Sequence, residues 1–457
     1  MKKKHYHFIG IGGIGMGTLA SLLLAKGHKV SGSDLKESEL AAELRKNGAV
    51  VSIGHHASNV QTPDHVVYSS AIPMTNPEMM ESVMRNLPLL KRAEVLAQLV
   101  NEETGITIAG AHGKTTTTSM ISCLLLNAGL KPSTAVGGII NGNAYNAHLG
   151  EGKYFVAEVD ESDGTFLYFR PMYSVITNID FEHVDFYKDW KGITDAYSKF
   201  IQHTNEQGVV IACAEDAKLK ALVESSGRKA LYYGLNDSCD VWASHIVSDG
   251  FHSRFECHTG RGKLADIELI VPGRHNVLNA LASITVGLQL GISPALMQQT
   301  LKEFSGVKRR FQLRGKVEDI MVVDDYGHHP TEIDATINAA RLFNPKRLVT
   351  VFQPHRYSRT KFLLNEFVQS LAKTDQLVIT DIYAASEKPS AGVGTQELVD
   401  PLKALLGDRV QYLKKEDILS HLTQTVQAGD LVLFLGAGDV NQFCDPLISH
   451  LSKKVMV

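Results

Sequence analysis

Apolar and polar positions along this chain change period again and again. Short apolar runs of strand length alternate with longer stretches whose apolar residues recur at helical spacing. In the first hundred residues the pattern predicts strands over 7–10, 29–32, 50–53 and 65–69. It predicts helices over 18–26, 38–47 and 77–84. Strands and helices in alternation build a doubly wound parallel sheet. The pattern lapses over the polar residues 101–105, read here as a linker. A second region opens with a buried strand at 107, a small-residue turn and a helix beginning at Lys114. Strands near 154–159, 174–179 and 208–212 follow, with a helix over 193–203. Residues 240–271 alternate polar and apolar positions, as antiparallel strands do, and residues 272–280 open another helix. After a basic loop at 304–310, a third β/α region has strands over 321–324, 347–352, 376–380 and 430–435. The expectation is an α/β chain of three domains, 1–99, 100–313 and 314–457.

Composition agrees. A chain of 457 residues holds about three domains at roughly 150 residues each. A hydrophobic content of 44% and a charged content of 21% are ordinary for a globular protein. The net charge of −3 gives no case for nucleic acid or an anionic membrane as partner. Five scattered cysteines form no C-x-x-C, so neither a zinc site nor a disulfide framework is expected, and a reducing cytosol fits. The lysines at 2–4 and the apolar stretch 8–25 mimic a leader or anchor, but its glycines read better as a strand, a turn and a helix. No stable membrane insertion is expected.

Three groups of residues carry chemistry. Gly110, Ala111, His112, Gly113, Lys114, Thr115 and Thr116 form G-x-x-G-K-T-T between a strand and a helix. Backbone N–H groups, the helix dipole and a lysine there make a phosphate cradle, with a hydroxyl for Mg²⁺. A standard phosphate loop has glycine where Ile108 stands. Carboxylates for a hard cation follow neighbouring strands at Glu158, Asp160 and Glu161, and at Asp180 and Glu182 beside His183. The earlier loop, Gly10, Gly12, Gly13 and Gly15 with Asp34, matches G-x-G-x-x-G and suits NAD or another pyrophosphate. In the third region, residues 324–330 and 353–360 gather Tyr326, His328, His355, Arg356 and Arg359 after apolar strands, a set suited to a carboxylate or phosphate. A dehydrogenase needs no Mg-ATP loop, and a simple kinase needs no third site. An enzyme that phosphorylates a carboxylate and passes the acyl group to an amino acid needs all three.

The motifs HFIGIGGIGMG (7–17), SGSD (31–34), SSAI (69–72), NPE (76–78), RAEVL (92–96) and AGAHGKTTTT (109–118) occur in order. EVDESD (158–163), TNIDFEHVD (177–185), PGRHNVLNA (272–280), VDDYGHHPTE (323–332) and FQPHRYSRT (352–360) follow them. With these motifs the chain resembles the Mur ligases of peptidoglycan synthesis over essentially its whole length. The resemblance implies a Rossmann-like first domain, a central P-loop ATPase-like domain and a Rossmann-like third domain that close around substrates. It implies a cytoplasmic enzyme using ATP and Mg²⁺. The UDP part of the substrate, rather than NAD, would lie on Gly10, Gly12, Gly13, Gly15 and Asp34, with Ser69 and Ser70. Lys114 would grip the β- and γ-phosphates. Thr115 and Glu158 would hold one Mg²⁺ and His183 a second. Asn276 and His275 would meet adenine, and Arg310 and Asp325 would reach the nucleotide. Tyr326, His328, His355, Arg356 and Arg359 would surround the amino acid and acyl group. His112, with residues 326–330 and 353–360, favours the alanine-adding branch, whose substrates are UDP-N-acetylmuramate and L-alanine. A tripeptide-recycling member is the nearest rival, with an NAD-dependent oxidoreductase or a non-catalytic nucleotide-binding regulator as readings from other classes. Glu182 stands where most of the family has Asp. Tyr197 stands where other branches have a carbamoylated lysine, with Lys199 two residues on, so that modification is not expected.

Overall fold

The computed structural model describes residues 3–69, 72–141, 147–182, 184–385, 387–388 and 394–455. It divides into two compact units. The first comprises Met1–Trp242, His258–Gly262 and Asn279–Thr300; the second comprises Ala243–Cys257, Lys263–Leu278 and Leu301–Val457.

The first unit holds two sheets. The amino-terminal sheet has strand order Val50–Ile53, Lys29–Asp34, His5–Ile9, His65–Tyr68, Leu89–Lys91, all parallel. The helix after the first glycine loop spans Ile14–Ala25 and so begins four residues earlier than expected. Glycines 15 and 17 lower helix propensity there, but packing overrides them. A Cβ on Gly17 would sit 2.3 Å from Leu40 Cδ2, so glycine lets two helices touch. The helix Pro77–Met84 forms as expected, because Asn76 caps it by accepting from the Glu78 N–H and proline takes the first turn. The expected linker at 101–105 is cut to two residues. The helix Arg92–Asn101 runs into the strand Thr104–Ala109 with only Glu102 and Glu103 between, and both carboxylates pair with Lys26. Polar composition does not separate a helix end from a linker.

The second sheet of this unit runs Ala230–Gly234, Val209–Cys213, Tyr173–Ile176, Thr104–Ala109, Tyr154–Glu158, Ser133–Ala135, Ala147–His148. Only the last pair is antiparallel. Thr104–Ala109 is central, with Tyr173–Ile176 on one side and Tyr154–Glu158 on the other, so three parallel strands end side by side. The strands Val241–Asp249, His252–Thr259 and Gly262–Leu269, most of whose residues belong to the second unit, alternate buried and open positions as the sequence pattern expected. Their two-residue connections allow only antiparallel neighbours.

The second unit is built on a six-stranded sheet. Its order is Gln312–Val317, Ile320–Asp325, Asp430–Leu435, Arg347–Phe352, Gln376–Ile379, Val410–Tyr412. The first pair is antiparallel and the rest are parallel. Gln312–Val317 alternates polar residues with Leu313, Gly315 and Val317 and was not expected as a strand; it is an edge strand. Leu431, Leu433 and Leu435 enter one core and Val432 and Phe434 the other, so the continuous apolar run is a strand covered on both faces. Among the described residues, no helix is long and apolar enough to cross a membrane.

Tyr197, on the helix Trp190–Gln202, is fully buried against Phe166, which stacks on Phe200. Among the described residues, its hydroxyl has no hydrogen-bond partner. Tyr197→Phe should therefore leave stability unchanged or raise it by about 1 kcal/mol, because it removes an unsatisfied group. Phe200→Ala should cost about 3–5 kcal/mol. Urea titration followed by circular dichroism checks both, and a clearly less stable Tyr197→Phe would show that the hydroxyl is partnered in solution.

Candidate active site

The strand Thr104–Ala109 is buried almost throughout and delivers its chain end to Gly110. Gly110 has φ 133°, and a Cβ there would lie 2.1 Å from Thr177 Oγ1 and 3.0 Å from the Asn178 carbonyl. Only glycine fits both the conformation and the space. The turn is then fastened to the neighbouring strand end. The Ala111 N–H donates to the Asn178 carbonyl (3.3 Å) and the His112 N–H to Asn178 Oδ1 (2.9 Å). The His112 carbonyl accepts from Thr177 Oγ1 (2.6 Å) and Asn178 Nδ2 (3.0 Å). Gly113, at φ 81°, starts the helix Lys114–Asn127 with no side-chain cap. The first N–H groups of that helix therefore face outward for an anion.

Helix threonines divide by role. Thr118 and Ser119 bond back to the carbonyls of Lys114 and Thr115, and Thr117 donates to Asn279 Oδ1. Thr115 instead donates to Glu158 Oε1 (3.0 Å), while Thr116 is half-buried. Glu158 ends its strand opposite Ile108, and its other oxygen accepts from the Gly137 N–H (2.8 Å). A Cβ at Gly137 would lie 2.5 Å from that oxygen, so glycine is required.

Lys114 Nζ lies 2.8 and 2.9 Å from the two oxygens of the Glu161 carboxylate, and also donates to the carbonyls of Gly110 and Ala111. Burial opposes the ammonium charge, but Glu161 and then Asp160 more than offset it and hold the lysine above its ordinary pKa. His112 Nε2 meets Asp180 Oδ2 at 2.8 Å. Loop, Thr115, Glu158 and the acids of both motifs thus come together. The pairing of Lys114 with Glu161, and the clamping by Thr177, Asn178 and Gly137, were not foreseen. All but Gly137 lie in motifs quoted above, yet spacing alone does not say which carboxylate meets the lysine. His183 lies outside the described residues.

In the amino-terminal sheet, the N–H groups of Gly10 and Ile11 donate to the Ser33 carbonyl. Asp34 Oδ2 accepts from the Gly12 N–H (2.8 Å), so this acid braces the glycine loop itself. Gly13 opens the helix without a side-chain cap, leaving a second set of helix N–H groups for an anion. Arg92 was missed: its Nη1 lies 3.0 Å from where a Cβ of Gly15 would be, which puts a cation against this helix start. The Ser69 carbonyl accepts from the Ile72 N–H. Ser70 lies outside the described residues.

In the second unit, Asn276 is buried and its amide donates to the Pro272 carbonyl (2.7 Å). His275 is pushed down to about 4, first by burial and then by Arg310. Asp325 is buried and accepts from the Phe311 and Gly327 N–H groups and from Thr336 Oγ1. Its carboxylate shapes the turn below Tyr326. The guanidinium carbons of Arg309 and Arg310 lie 5.0 and 5.2 Å from the Tyr326 ring centre. The His328 ring lies 5.5 Å from Tyr326 and 5.6 Å from His355, and Tyr383 stacks on His355 at 5.7 Å. Arg359 donates to His355 Nδ1 (3.1 Å). Arg356 has φ 69°, held by its N–H on the Tyr383 carbonyl. Tyr326, His328, His355 and Arg359 therefore share one cluster after two parallel strands, with Arg356 at its edge. Tyr383 was missed, since no motif marks it.

Gly110→Ala should abolish nucleotide binding while far-UV circular dichroism stays near wild type, because the turn and not the sheet is displaced. Unchanged affinity would mean that the turn has room the geometry denies. Burial, followed by Arg359 and Arg356, pushes His355 down to about 4. The lowered value means that the unfolded chain binds the proton first. The stability this neutral imidazole contributes is complete above about pH 6.5 and falls away as pH drops toward 4. Histidine-labelled NMR should show His355 neutral at pH 6, and a midpoint near 6.5 would contradict its buried state.

Family models agree with this construction. The Mur ligase family catalytic domain matches residues 5–104, the Mur ligase middle domain residues 108–287, and the Mur ligase glutamate ligase domain residues 309–438. The UDP-N-acetylmuramate–L-alanine ligase of Geotalea uraniireducens is 45% identical over 451 residues, 98% of each chain. That of Trichlorobacter lovleyi is 45% identical over 97% of this chain and 98% of its own. Among solved structures, the UDP-N-acetylmuramate–alanine ligase of Thermotoga maritima is 29% identical with a TM-score of 0.82, covering 99% of this chain and 100% of that one. A murein peptide ligase from Psychrobacter arcticus is 26% identical with a TM-score of 0.72, covering 98% of this chain and 99% of that one. Three family models in series and relatives at 45% identity cover nearly the whole of the chain whose sheets carry these sites: this chain belongs to the Mur ligase family of ATP-dependent ligases.

Proposed function

We propose that this ligase joins L-alanine to the lactyl carboxylate of UDP-N-acetylmuramate in the cytoplasm, for peptidoglycan synthesis. Domains would meet near residues 99 and 313. The observation that carries the reading is similarity at 45% identity over nearly the whole chain to relatives named for that reaction. A tripeptide-recycling activity is less favoured: the murein peptide ligase structure is the more distant fit, at a TM-score of 0.72 against 0.82.

The open helix start at Lys114 and the lysine itself would bind the β- and γ-phosphates of ATP. Glu158, Asp160, Glu161, Asp180 and Glu182 crowd this loop, by direct bonds or by their pull on Lys114 and His112. A triphosphate would be repelled there unless a cation intervened. The oxygen donors Thr115 and Glu158 fit Mg²⁺, with His183 as a further candidate. Bound there, Mg²⁺ would neutralise phosphate charge. The carboxylate attacks the γ-phosphorus in line, forming the acyl phosphate and releasing ADP. The neutral amine of alanine then attacks the activated carbonyl, and phosphate leaves from the tetrahedral intermediate.

His328 and His355 differ as acceptors of the amine proton. His355 Nδ1 accepts from Arg359, so its own proton is on Nε2. His328 Nδ1 faces the Tyr326 carbonyl and so carries the proton, which leaves Nε2 bare. Burial, against the pull of Glu332, keeps His328 well below the usual histidine range. Such a weak base takes a proton only after the carbon–nitrogen bond has formed. Arg356 and Arg359 would hold the carboxylate of alanine.

With Mg-ATP and UDP-N-acetylmuramate, phosphate release should require L-alanine. Release only with the tripeptide L-Ala-γ-D-Glu-meso-diaminopimelate would move the chain to the recycling branch. Lys114→Ala should lower turnover by about 10³-fold or more. Binding of the UDP substrate, measured by calorimetry, should survive that change.

A further inference from the structure

The proposed reaction makes use of Lys114 but gives Glu161 no part. Glu161 is 3% exposed. Its carboxylate meets Lys114 Nζ with both oxygens, at 2.8 and 2.9 Å, and its carbonyl accepts from the Tyr187 hydroxyl. The same ammonium reaches back to the carbonyls of Gly110 and Ala111, within the loop that it follows. Lys114 is therefore folded over its own anion cradle and locked there by one buried acid. The lysine side chain is 15% exposed and the Glu161 side chain 4%.

A buried ion pair contributes little net stability, because both charges lose water. Its chemical consequence is larger. Removing one partner leaves a buried charge in want of a counter-ion. A phosphate arriving at the helix start offers the ammonium that counter-ion.

We propose that Glu161 is a positioning residue that occupies Lys114 in the empty enzyme and is exchanged for the β- and γ-phosphates when nucleotide binds. The inference rests on the reading of residues 110–116 as the ATP phosphate loop. Glu161 keeps the ammonium charged and aimed at the mouth of the loop. It also weakens nucleotide binding, because the first contact must be broken before the second forms. Asp160 and Glu182 favour the same charge at longer range and remain when Glu161 is replaced.

Glu161→Gln keeps the shape and removes the competitor. ATP and ADP binding, measured by calorimetry without UDP substrate or amino acid so that nothing turns over, should tighten about tenfold, as for loss of one charge-assisted contact. The gain should persist in EDTA, since the exchange is between two anions for one ammonium. AMP, which lacks the phosphates concerned, should bind as to wild type. In a Lys114→Ala background the substitution should change ATP affinity by less than about twofold, as a double-mutant cycle requires. Glu161→Asp, with a looser grip, should tighten ATP about threefold, which keeps the test open if the glutamine variant fails to fold. Equal or weaker ATP binding by the variants would overturn the proposal, and loss confined to Mg²⁺-containing buffer would make Glu161 a cation ligand instead. Absence of ATP binding by the wild-type protein would overturn the phosphate-loop reading itself, and this proposal with it.

Discussion

Everything at the phosphate loop depends on how closely two parallel strand ends approach. Gly110 passes so near Thr177 and Asn178 that no side chain fits, and the turn borrows their backbone and side-chain groups in place of a ladder. That contact exists because Thr104–Ala109 lies between Tyr173–Ile176 and Tyr154–Glu158, with Ala109 level with Ile176 and Ile108 level with Glu158. Three parallel strands then release their loops at one edge. A helix start with its lysine converges there with two acidic motifs that follow later strands. Carboxyl ends of parallel strands collect ligands for this reason.

Charge is the second constraint. The loop is built for phosphate but is ringed by carboxylates, which Lys114, Thr115 and His112 each meet at one acid. An anion site among acids is unfavourable for a bare triphosphate and suited to one that arrives with a divalent cation. The Lys114–Glu161 pair fits the same logic. It holds a cation ready in a place where burial opposes its charge. The second unit solves the opposite problem. Buried imidazoles beside arginines stay neutral, so His328 and His355 offer hydrogen-bonding nitrogens and leave the positive charge to Arg356 and Arg359. Gly110 and Gly113 show how the backbone serves both ends, since left-handed turns bring peptide groups where side chains would block them.

Much of this was legible in the sequence, for local reasons. Period-two patterns located most strands and helical spacing only some of the helices, and Asn76 with Pro77 set one helix start to the residue. Glycines before a lysine and a run of hydroxyls mark a phosphate loop because the chemistry needs those groups contiguous. What misled was also local. Gly15 reads as part of the glycine loop, yet it lies in the helix Ile14–Ala25, whose Gly17 leaves space that Leu40 fills. The polar residues around Glu102 looked like a linker until Lys26 was seen to pair them. Tertiary contact alone decided which acid meets Lys114, why Asp34 and Asp325 turn inward to brace their own loops, that Arg92 of one motif reaches Gly15 of another, and that Tyr383, in no motif, stacks on His355. Spacing along the chain determines what each segment can become. Which charges lie within reach of one another depends on strand register across the sheet, and that is set by packing many residues away.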